Sequence, residues 1–311
     1  MKDPIKKYFP LFVLPVFVCF CLCFVWPFIQ GVCLSFCNFF IPKDATFTGV
    51  SNYVTVFRDT SFWHAFLITC LYAVASIICV NVPAFFIAYL LKEKFKGVTL
   101  FRASFFLPNL IGGVVLGYIW SMLFDGILSR FGTYLTASPV FGFWGLVILV
   151  AWQQIGYMMI IYIAGFTALP EEMLEASQMD GANRFQRMTK IIIPNMKASV
   201  AICTFLTLTN SFKMFDQNLA LTGGQPIRTL ENGMQLKTTE LLAMNIYSTY
   251  QINNHWHGTA QAKAVIFFFL VAAFGALQLY VTREKKEKKP KKTAASKKPS
   301  ETTSPAKENK A

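Results

Sequence analysis

Six apolar stretches constrain what this chain can fold into. They are free or nearly free of charged residues and run over 9–40, 61–91, 103–124, 141–169, 198–212 and 264–282. A helix needs roughly 20 apolar residues to cross the hydrocarbon core of a bilayer. The fifth stretch is short and needs Lys197 and Lys213 as interfacial flanks. Because no stretch alternates like a strand, the sequence predicts an all-α integral membrane protein with six transmembrane helices.

Composition agrees with a membrane protein. Charged residues make up 14% of the chain and phenylalanine occurs 32 times, whereas a soluble domain carries about 25% charged residues. The first apolar stretch is longer than the core of a signal peptide, and no A-x-A cleavage site follows it. We therefore predict a retained first helix, bent near Pro15 or Pro27.

Basic residues predict the orientation in the membrane. Of 29 Lys and Arg, 22 lie at the N-terminus, in 92–102, in 184–197 or in the tail, and the alternate connections hold the other seven. Because basic residues stay on the cytoplasmic side, both termini and the 170–194 connection are predicted to face the cytoplasm. We divide the chain into a cytoplasmic N-terminus (1–8), a six-helix domain (9–283) and a disordered basic tail (284–311).

The eight cysteines lie in or beside apolar stretches, and no CxxC pair suggests zinc. The His255-Trp256-His257 segment lacks a third ligand, so contact with an external protein is a better interpretation than a metal site. No metal, cofactor or nucleic acid is expected to bind.

The connection between the fourth and fifth stretches reads as two short helices. Pro170 can begin a helix that carries Glu171 and Glu172 in its first turn and ends at Met179. Gly181 permits a turn, and a second helix is expected over 183–192. Such a helix could enter a groove of another protein. An interfacial loop that only joins two spans is an equally good interpretation on these residues alone.

A family resemblance decides between these interpretations. The segments Glu175-Ala176-Ser177, Asp180-Gly181-Ala182 and Ile191 to Pro194 resemble the EAA loop, E-A-A-x-x-x-G followed by I-x-L-P, of ABC importer permeases, with Ser177 for the second Ala and Ile193 for Leu. Residues 47–53, 101–108 and 222–226 resemble segments of the binding-protein-dependent sugar permeases, in particular those of the maltose-type "F" subunit. The resemblance covers roughly residues 8–283 and implies the type I importer permease fold.

The resemblance also implies a mechanism. No G-x-x-x-x-G-K-[ST] phosphate loop occurs, so the chain is expected to be a transport subunit and not an ATPase. The cytoplasmic EAA-type coupling helix would sit in a cleft of a separate ABC ATPase dimer. The residues expected to act in this coupling are Glu175, Ala176, Ser177, Asp180, Gly181, Ala182 and Pro194. Further partners implied are a second permease subunit, an extracellular solute-binding protein and a carbohydrate substrate, at the bacterial cytoplasmic membrane.

Polar residues at membrane depth are costly and suggest a solute path. One cluster lies in 152–157 and another in 210–216, and relatives of the maltose type line their sugar site with the corresponding stretches. The residues expected to line the path are Gln153, Gln154, Tyr157, Asn210, Ser211 and Met214. Hydrogen bonding between helices is the other explanation for such residues.

Three other functions stay open at this point. The substrate could be a polyol or a glycerol phosphate ester, although an anionic substrate needs a basic pocket and only Lys213 lies near. A six-span membrane enzyme would need a cluster of acids, His or Cys at membrane depth, which the sequence lacks. A structural subunit would account for the loop but not for the polar residues.

Overall fold

The structure is a computed structural model and describes residues 4–93, 95–231, 233–252 and 256–282. Its helices are α1 (Pro4–Phe20), α2 (Trp26–Leu34), α3 (Ser51–Arg58), α4 (Thr60–Leu91), α5 (Val98–Phe106), α6 (Gly113–Leu128), α7 (Pro139–Thr167), α8 (Glu171–Met179), α9 (Arg184–Arg187), α10 (Ile193–Asn195), α11 (Lys197–Phe212), α12 (Asp216–Leu221), α13 (Leu242–Ile252) and α14 (His257–Thr282). Two antiparallel hairpins pair β1 (Cys37–Asn38) with β2 (Thr46–Phe47) and β3 (Ile227–Thr229) with β4 (Gln235–Lys237). The predicted tail, 284–311, lies outside the described residues.

The number of membrane-spanning helices agrees with the six predicted spans. In the described part of the chain, five helices are long and apolar enough to cross a membrane: Leu11–Leu34, Thr60–Leu91, Gly113–Phe131, Pro139–Thr167 and His257–Val281. A sixth span is obtained if Arg184–Asn195 and Lys197–Phe212, which meet at 71°, are counted as one. The marginal length predicted for the fifth span corresponds to this bent pair.

The first span is irregular just before Pro27. Residues Cys21–Val25 form one π-helical turn, in which the Trp26 N–H donates to the Cys21 carbonyl. Proline has no N–H and its ring crowds the carbonyl four residues earlier, so the helix changes its hydrogen-bond pattern next to it. Pro15 lies within regular α1.

The segment that resembles sugar permeases at 47–53 folds back onto the end of the first span. Asn52 donates its side-chain amide to the carbonyls of Ser35 and Cys37, at 2.9 Å each. The Tyr53 hydroxyl lies 2.7 Å from that of Ser35. Gly49 adopts a positive φ of 61° in the turn that makes this return possible.

The third apolar stretch is broken, which corrects the prediction of one helix over 103–124. Helix α5 ends at Phe106, a 3₁₀ turn covers Leu107–Leu110, and α6 begins only at Gly113. Pro108 cannot donate to the preceding turn and ends the regular hydrogen bonding there. The span itself therefore starts about ten residues later than predicted and continues to Phe131.

Helix α7 lies at the centre of the fold and packs against α4, α5 and α11. Its core contacts include Met158 and Tyr162, which pack with Val80 and Ala84 of α4 and Cys203 of α11. Small residues such as Ala84 allow neighbouring membrane helices to approach each other closely.

Gly113 and Gly117 of α6 form a GxxxG pattern that packs against α12 of the same chain. A Cβ built on Gly117 would lie 2.5 Å from the Ala220 Cβ, and one on Gly113 would lie 2.8 Å from the Gln217 Cδ. Both neighbours belong to α12, so α6 and α12 are in direct backbone contact.

The sixth span begins earlier than the predicted 264–282. Helix α14 starts at His257, seven residues before Ala264, and carries Lys263 inside its first two turns. The lysine appeared to end the apolar stretch, yet its side chain is buried. The described residues between the fifth and sixth spans form α12, the β3–β4 hairpin and α13.

We predict that Gly156→Ala destabilises the protein by about 1–3 kcal/mol, because a Cβ there would overlap the Phe105 carbonyl of α5 and force the two helices apart. The midpoint of thermal unfolding in detergent measures this effect. Gly126→Ala in α6 is the matched control, since nothing lies within 4 Å of a Cβ built there. An equal midpoint for both variants would contradict the close approach of α5 and α7.

Candidate functional site

Helices α8 and α9 form a helix–turn–helix at one end of the bundle, between the fourth and fifth spans. Pro170 precedes α8, and Glu171 and Glu172 lie in its first turn, as predicted. Gly181 has a φ of 77°, and the Ala182 N–H donates to the Ser177 carbonyl across the turn. This left-handed position after a helix favours glycine.

The second helix begins with a reciprocal cap. The Asn183 side chain accepts from the Gln186 N–H at 2.7 Å, and the Gln186 side chain accepts from the Asn183 N–H at 3.0 Å. This capping box satisfies two backbone donors that would otherwise be unpaired. The loop is therefore a defined structure in its own right.

The two faces of α8 differ in their surroundings. Leu174 packs on the core shared by α4, α7 and α11, and Ser177 is buried with its hydroxyl donating to the Leu174 carbonyl. Glu175, Ala176 and Met179 face away from the bundle and are exposed, Met179 by 89%. We call these three residues the knob. Ser177 faces the chain's own core with 5% of its surface exposed, and its part in contacting the ATPase stays a prediction.

Asp180, Gly181 and Ala182 form the turn next to the knob. Asp180 and Gly181 are exposed and Ala182 is partly buried. A Cβ built on Gly181 would meet nothing within 4 Å, so the space around the turn is open.

Pro194 lies one residue before the end of the helical segment Arg184–Asn195. Residues Met188–Ile192 form a π-helical turn closed by the Ile193 N–H and the Met188 carbonyl. As before Pro27, the irregular turn directly precedes a proline. The chain bends after Asn195 into α11, so Pro194 lies where the loop meets the bundle, as predicted.

The glutamines of α7 have different environments. The Gln153 side chain donates to the Ile111 carbonyl at 3.2 Å and accepts from Gln217 at 2.9 Å. It therefore satisfies a backbone carbonyl at the break between α5 and α6. Gln154 is only 9% exposed, and its buried Oε1 has no partner in the described part of the chain.

The other predicted path residues divide into two groups. Tyr157 is 36% exposed and Asn210 is partly buried, so both are reachable from a surface of the chain. Ser211 donates to the Thr207 carbonyl and is buried, and Met214 packs in a core with Tyr72 and Leu146. Gln153, Ser211 and Met214 have partners inside the chain, and the contact of the six path residues with a solute stays a prediction.

One buried polar network was not identified from the sequence. The Asn81 amide donates to Thr207 at 3.1 Å, and the Tyr162 hydroxyl donates to Asn81 at 3.1 Å. The three residues tie α4, α11 and α7 together. A single Asn in the second apolar stretch was the signal that could have indicated it.

A second missed network holds a buried charge at the opposite end of the bundle. The Lys263 ammonium is 1% exposed and lies 2.6 Å from Asp59, 2.8 Å from Asn245 and 2.8 Å from Thr249. Asp59 also caps α4 by accepting from the Ser61 N–H. All three ammonium protons are used, which is what makes a buried lysine tolerable.

The His255–His257 segment lies partly outside the described residues. His257 is buried, with Nδ1 3.0 Å from the Phe40 carbonyl and its ring stacked 4.1 Å from Tyr250. In the described ranges, no group of three or more His, Cys, Asp or Glu could hold a metal ion. His257 thus joins α14 to the residues that follow the first span.

Comparison with known proteins gives a consistent result. The family model described as "Binding-protein-dependent transport system inner membrane component" matches residues 71–287. The probable starch degradation products transport system permease protein AmyD of Thermoanaerobacterium thermosulfurigenes is 36% identical, over 88% of this chain and 94% of that protein. The sn-glycerol-3-phosphate transport system permease protein UgpA of Brucella abortus is 27% identical, over 88% and 94%.

The fold is also similar to that of a solved structure. A chain of a bacterial ABC transporter involved in the import of the acidic polysaccharide alginate superimposes with a TM-score of 0.74 at 18% identity. The match covers 91% of this chain and 98% of that one. The expected type I importer permease fold is confirmed.

We predict that Asp59→Asn destabilises the protein by about 3–5 kcal/mol, because it leaves the Lys263 charge buried without its carboxylate. The double variant Asp59→Asn/Lys263→Met should recover much of this loss, since it removes the charge as well. Thermal unfolding of both variants in detergent is the measurement. If the single variant unfolds at the wild-type temperature, the ion pair is not what holds α14 to α4.

Proposed function

The chain belongs to the family of inner membrane components of binding-protein-dependent transport systems, and from this premise we propose that it is the permease subunit of an ATP-driven importer of carbohydrate. The substrate is an oligosaccharide delivered by an extracellular binding protein. The observation that carries this proposal is the likeness to AmyD, which is named for starch degradation products and matches nearly the whole chain.

Energy for transport comes from a separate protein. The sequence contains no phosphate loop of the G-x-x-x-x-G-K-[ST] type, and the family to which it belongs supplies transport components. A cytoplasmic ATPase dimer would hydrolyse ATP and move the permease by contact. The chain itself is not an enzyme.

The knob is the contact point for this ATPase. Glu175, Ala176 and Met179 project from the bundle on α8, whose other face is anchored in the core through Leu174. An exposed apolar side chain beside one charge suits entry into a groove of a partner. The Asp180–Ala182 turn sets the direction in which the knob projects, and Pro194 sets where the loop rejoins the bundle.

This contact fixes the orientation of the chain. Because ATP is hydrolysed in the cytoplasm, α8 lies on the cytoplasmic side, with residues 1–8 and the basic tail 284–311. The distribution of Lys and Arg supports the same orientation. The transmembrane domain 9–283 then lies in the bacterial cytoplasmic membrane, with α13 and the β3–β4 hairpin facing outward to the binding protein.

The solute path is formed with a second permease subunit. Tyr157 and Asn210 lie at surfaces of the chain, and Gln154, one turn before Tyr157 on α7, has a buried oxygen without a partner. One surface cannot enclose a solute, so another subunit must cover it. Aromatic rings beside amide groups suit sugars, because the rings stack on C–H faces and the amides pair with hydroxyls.

Two alternative substrates are less well supported. UgpA is named for sn-glycerol-3-phosphate, and a phosphate ester requires a cation in the path. On α11 the nearest cation to Asn210 is Lys213, which is exposed at the helix end. An acyclic polyol has no ring face to stack on Tyr157. Family membership excludes the enzyme and the structural subunit considered from sequence.

We expect Met179→Asp to lower uptake at least about tenfold without changing the amount of protein in the membrane, because an unpaired charge would be buried in the ATPase groove. Met179→Leu keeps the apolar contact and should retain most of the activity. The measurements are uptake by the assembled transporter and co-purification of the ATPase. Normal uptake with Met179→Asp would show that the knob does not contact the ATPase. The orientation argued from that contact would then lose its support.

We expect cells that express the complete transporter to accumulate labelled maltooligosaccharides, and cells without this gene to lose that uptake. Tyr157→Ala should reduce it about tenfold, while Tyr157→Phe keeps the stacking ring and should retain most of it. Labelled sn-glycerol 3-phosphate is the competing substrate. Uptake of the phosphate ester alone would reject the carbohydrate proposal.

A further inference from the structure

A polar cavity of about 470 Å³ lies between the end of α4 and the helix–turn–helix. Tyr89, Lys92 and Glu93 form the wall contributed by α4 and the residues after it. Gln178 of α8 and Arg184 and Arg187 of α9 form the opposite wall, so the cavity joins two parts of the chain that are 85 to 98 residues apart in sequence. Neither the knob nor the solute path includes these side chains.

The cavity is basic, and its cations are not neutralised by the described residues. Lys92, Arg184 and Arg187 face one carboxylate, Glu93. In the part of the chain that the structure describes, ion pairs within 4.0 Å form only between Lys237 and Glu240 and between Lys263 and Asp59, both at the opposite end. The three cations therefore retain a net charge of two after Glu93 is counted.

Lys92 is held in place by aromatic rings and not by an acid. Its ammonium lies 4.5 Å from the centre of the Tyr89 ring and 5.7 Å from that of Phe166. A cation–π contact positions an ammonium while leaving its protons free to donate. The two arginines approach from the other wall with planar donor groups that match phosphate oxygens.

The depth of the cavity suggests where its ligand comes from. The apolar part of α4 ends at Leu91, one residue before Lys92, and buried Ile192 closes the cavity on the side of the bundle. The cavity thus opens at the level where the spans leave the hydrocarbon core. Basic pockets at this level on the cytoplasmic side bind the headgroups of anionic lipids.

We infer that this cavity binds a phosphate group, either that of an anionic phospholipid headgroup or free phosphate, and thereby links the end of α4 to the helix–turn–helix. A phosphodiester carries one negative charge shared by two non-bridging oxygens, and each of these can accept more than one hydrogen bond, so Lys92 and both arginines can donate to it together. The bound group would hold the coupling loop against α4 by a contact that the chain cannot make with its own residues. The inference concerns the isolated chain and is independent of the transported solute.

The test uses the purified full-length chain, stripped of lipid, and native mass spectrometry with added phosphatidylglycerol or phosphatidylcholine. The double variant Arg184→Gln/Arg187→Gln should bind phosphatidylglycerol at least about tenfold more weakly than wild type, because it removes the charge-assisted hydrogen bonds of both guanidinium groups. Lys190→Gln/Lys197→Gln is the matched control, because it removes the same charge from exposed positions in the loop and at the start of α11. Lys92→Gln tests the other wall.

Inorganic phosphate distinguishes the two sources. If phosphate without lipid raises the unfolding temperature of wild type and of the control but not of the arginine variant, free phosphate is the ligand. If phosphatidylglycerol raises the unfolding temperature in this pattern and inorganic phosphate does not, the ligand is a lipid. Equal binding of phosphatidylglycerol by the arginine variant and the control would overturn the inference, because it would leave only general attraction by the basic loop and tail.

Discussion

Backbone hydrogen bonding in the absence of water is the constraint on which this structure depends. Within the spans every N–H and C=O must find a partner in the protein, and proline removes one donor wherever it occurs. The chain responds with π-helical turns before Pro27 and Pro194. At the break near Pro108 it uses a side chain, and Gln153 donates to the freed Ile111 carbonyl. Polar side chains at membrane depth therefore serve first to complete the hydrogen bonding of the backbone. Only side chains that are not used in this way are available to bind a solute.

The same constraint explains which parts of the fold could be predicted from sequence. Apolar length indicated the spans because hydrocarbon thickness sets it directly. The start of the sixth span was missed because Lys263 was taken as a boundary, although Asp59 and Asn245, distant in sequence, neutralise and bind it. The third span was placed too early because residues 103–112 are apolar enough for lipid but pack on α7 instead.

The helix–turn–helix could be predicted from sequence better than the solute path, because its structure depends on residues close together in the chain. The helix–turn–helix is encoded locally, since Pro170, Gly181 and the Asn183–Gln186 cap each act within four residues. Its first helix was therefore predicted to within one residue, whereas the second, predicted over 183–192, begins at Arg184 and its helical segment continues to Asn195. The solute path depends on which side of α7 and α11 faces another helix, and no local pattern states that. Ser211 and Met214 were selected by correspondence with relatives, yet in this chain they face Thr207 and Tyr72.

The helix–turn–helix combines an exposed knob with a rigid attachment, and under the proposed function this attachment would transmit motion from the ATPase. Leu174 and Met188 pack on the core that contains Tyr162 and Cys203, and Tyr162 is hydrogen-bonded through Asn81 to Thr207. A displacement of α8 must therefore move α4, α7 and α11 together or break this network. Since packed cores resist continuous deformation, a force on the knob would turn these three helices as one body. The cavity between α4 and α9 interrupts that connection, and a bound phosphate would close it.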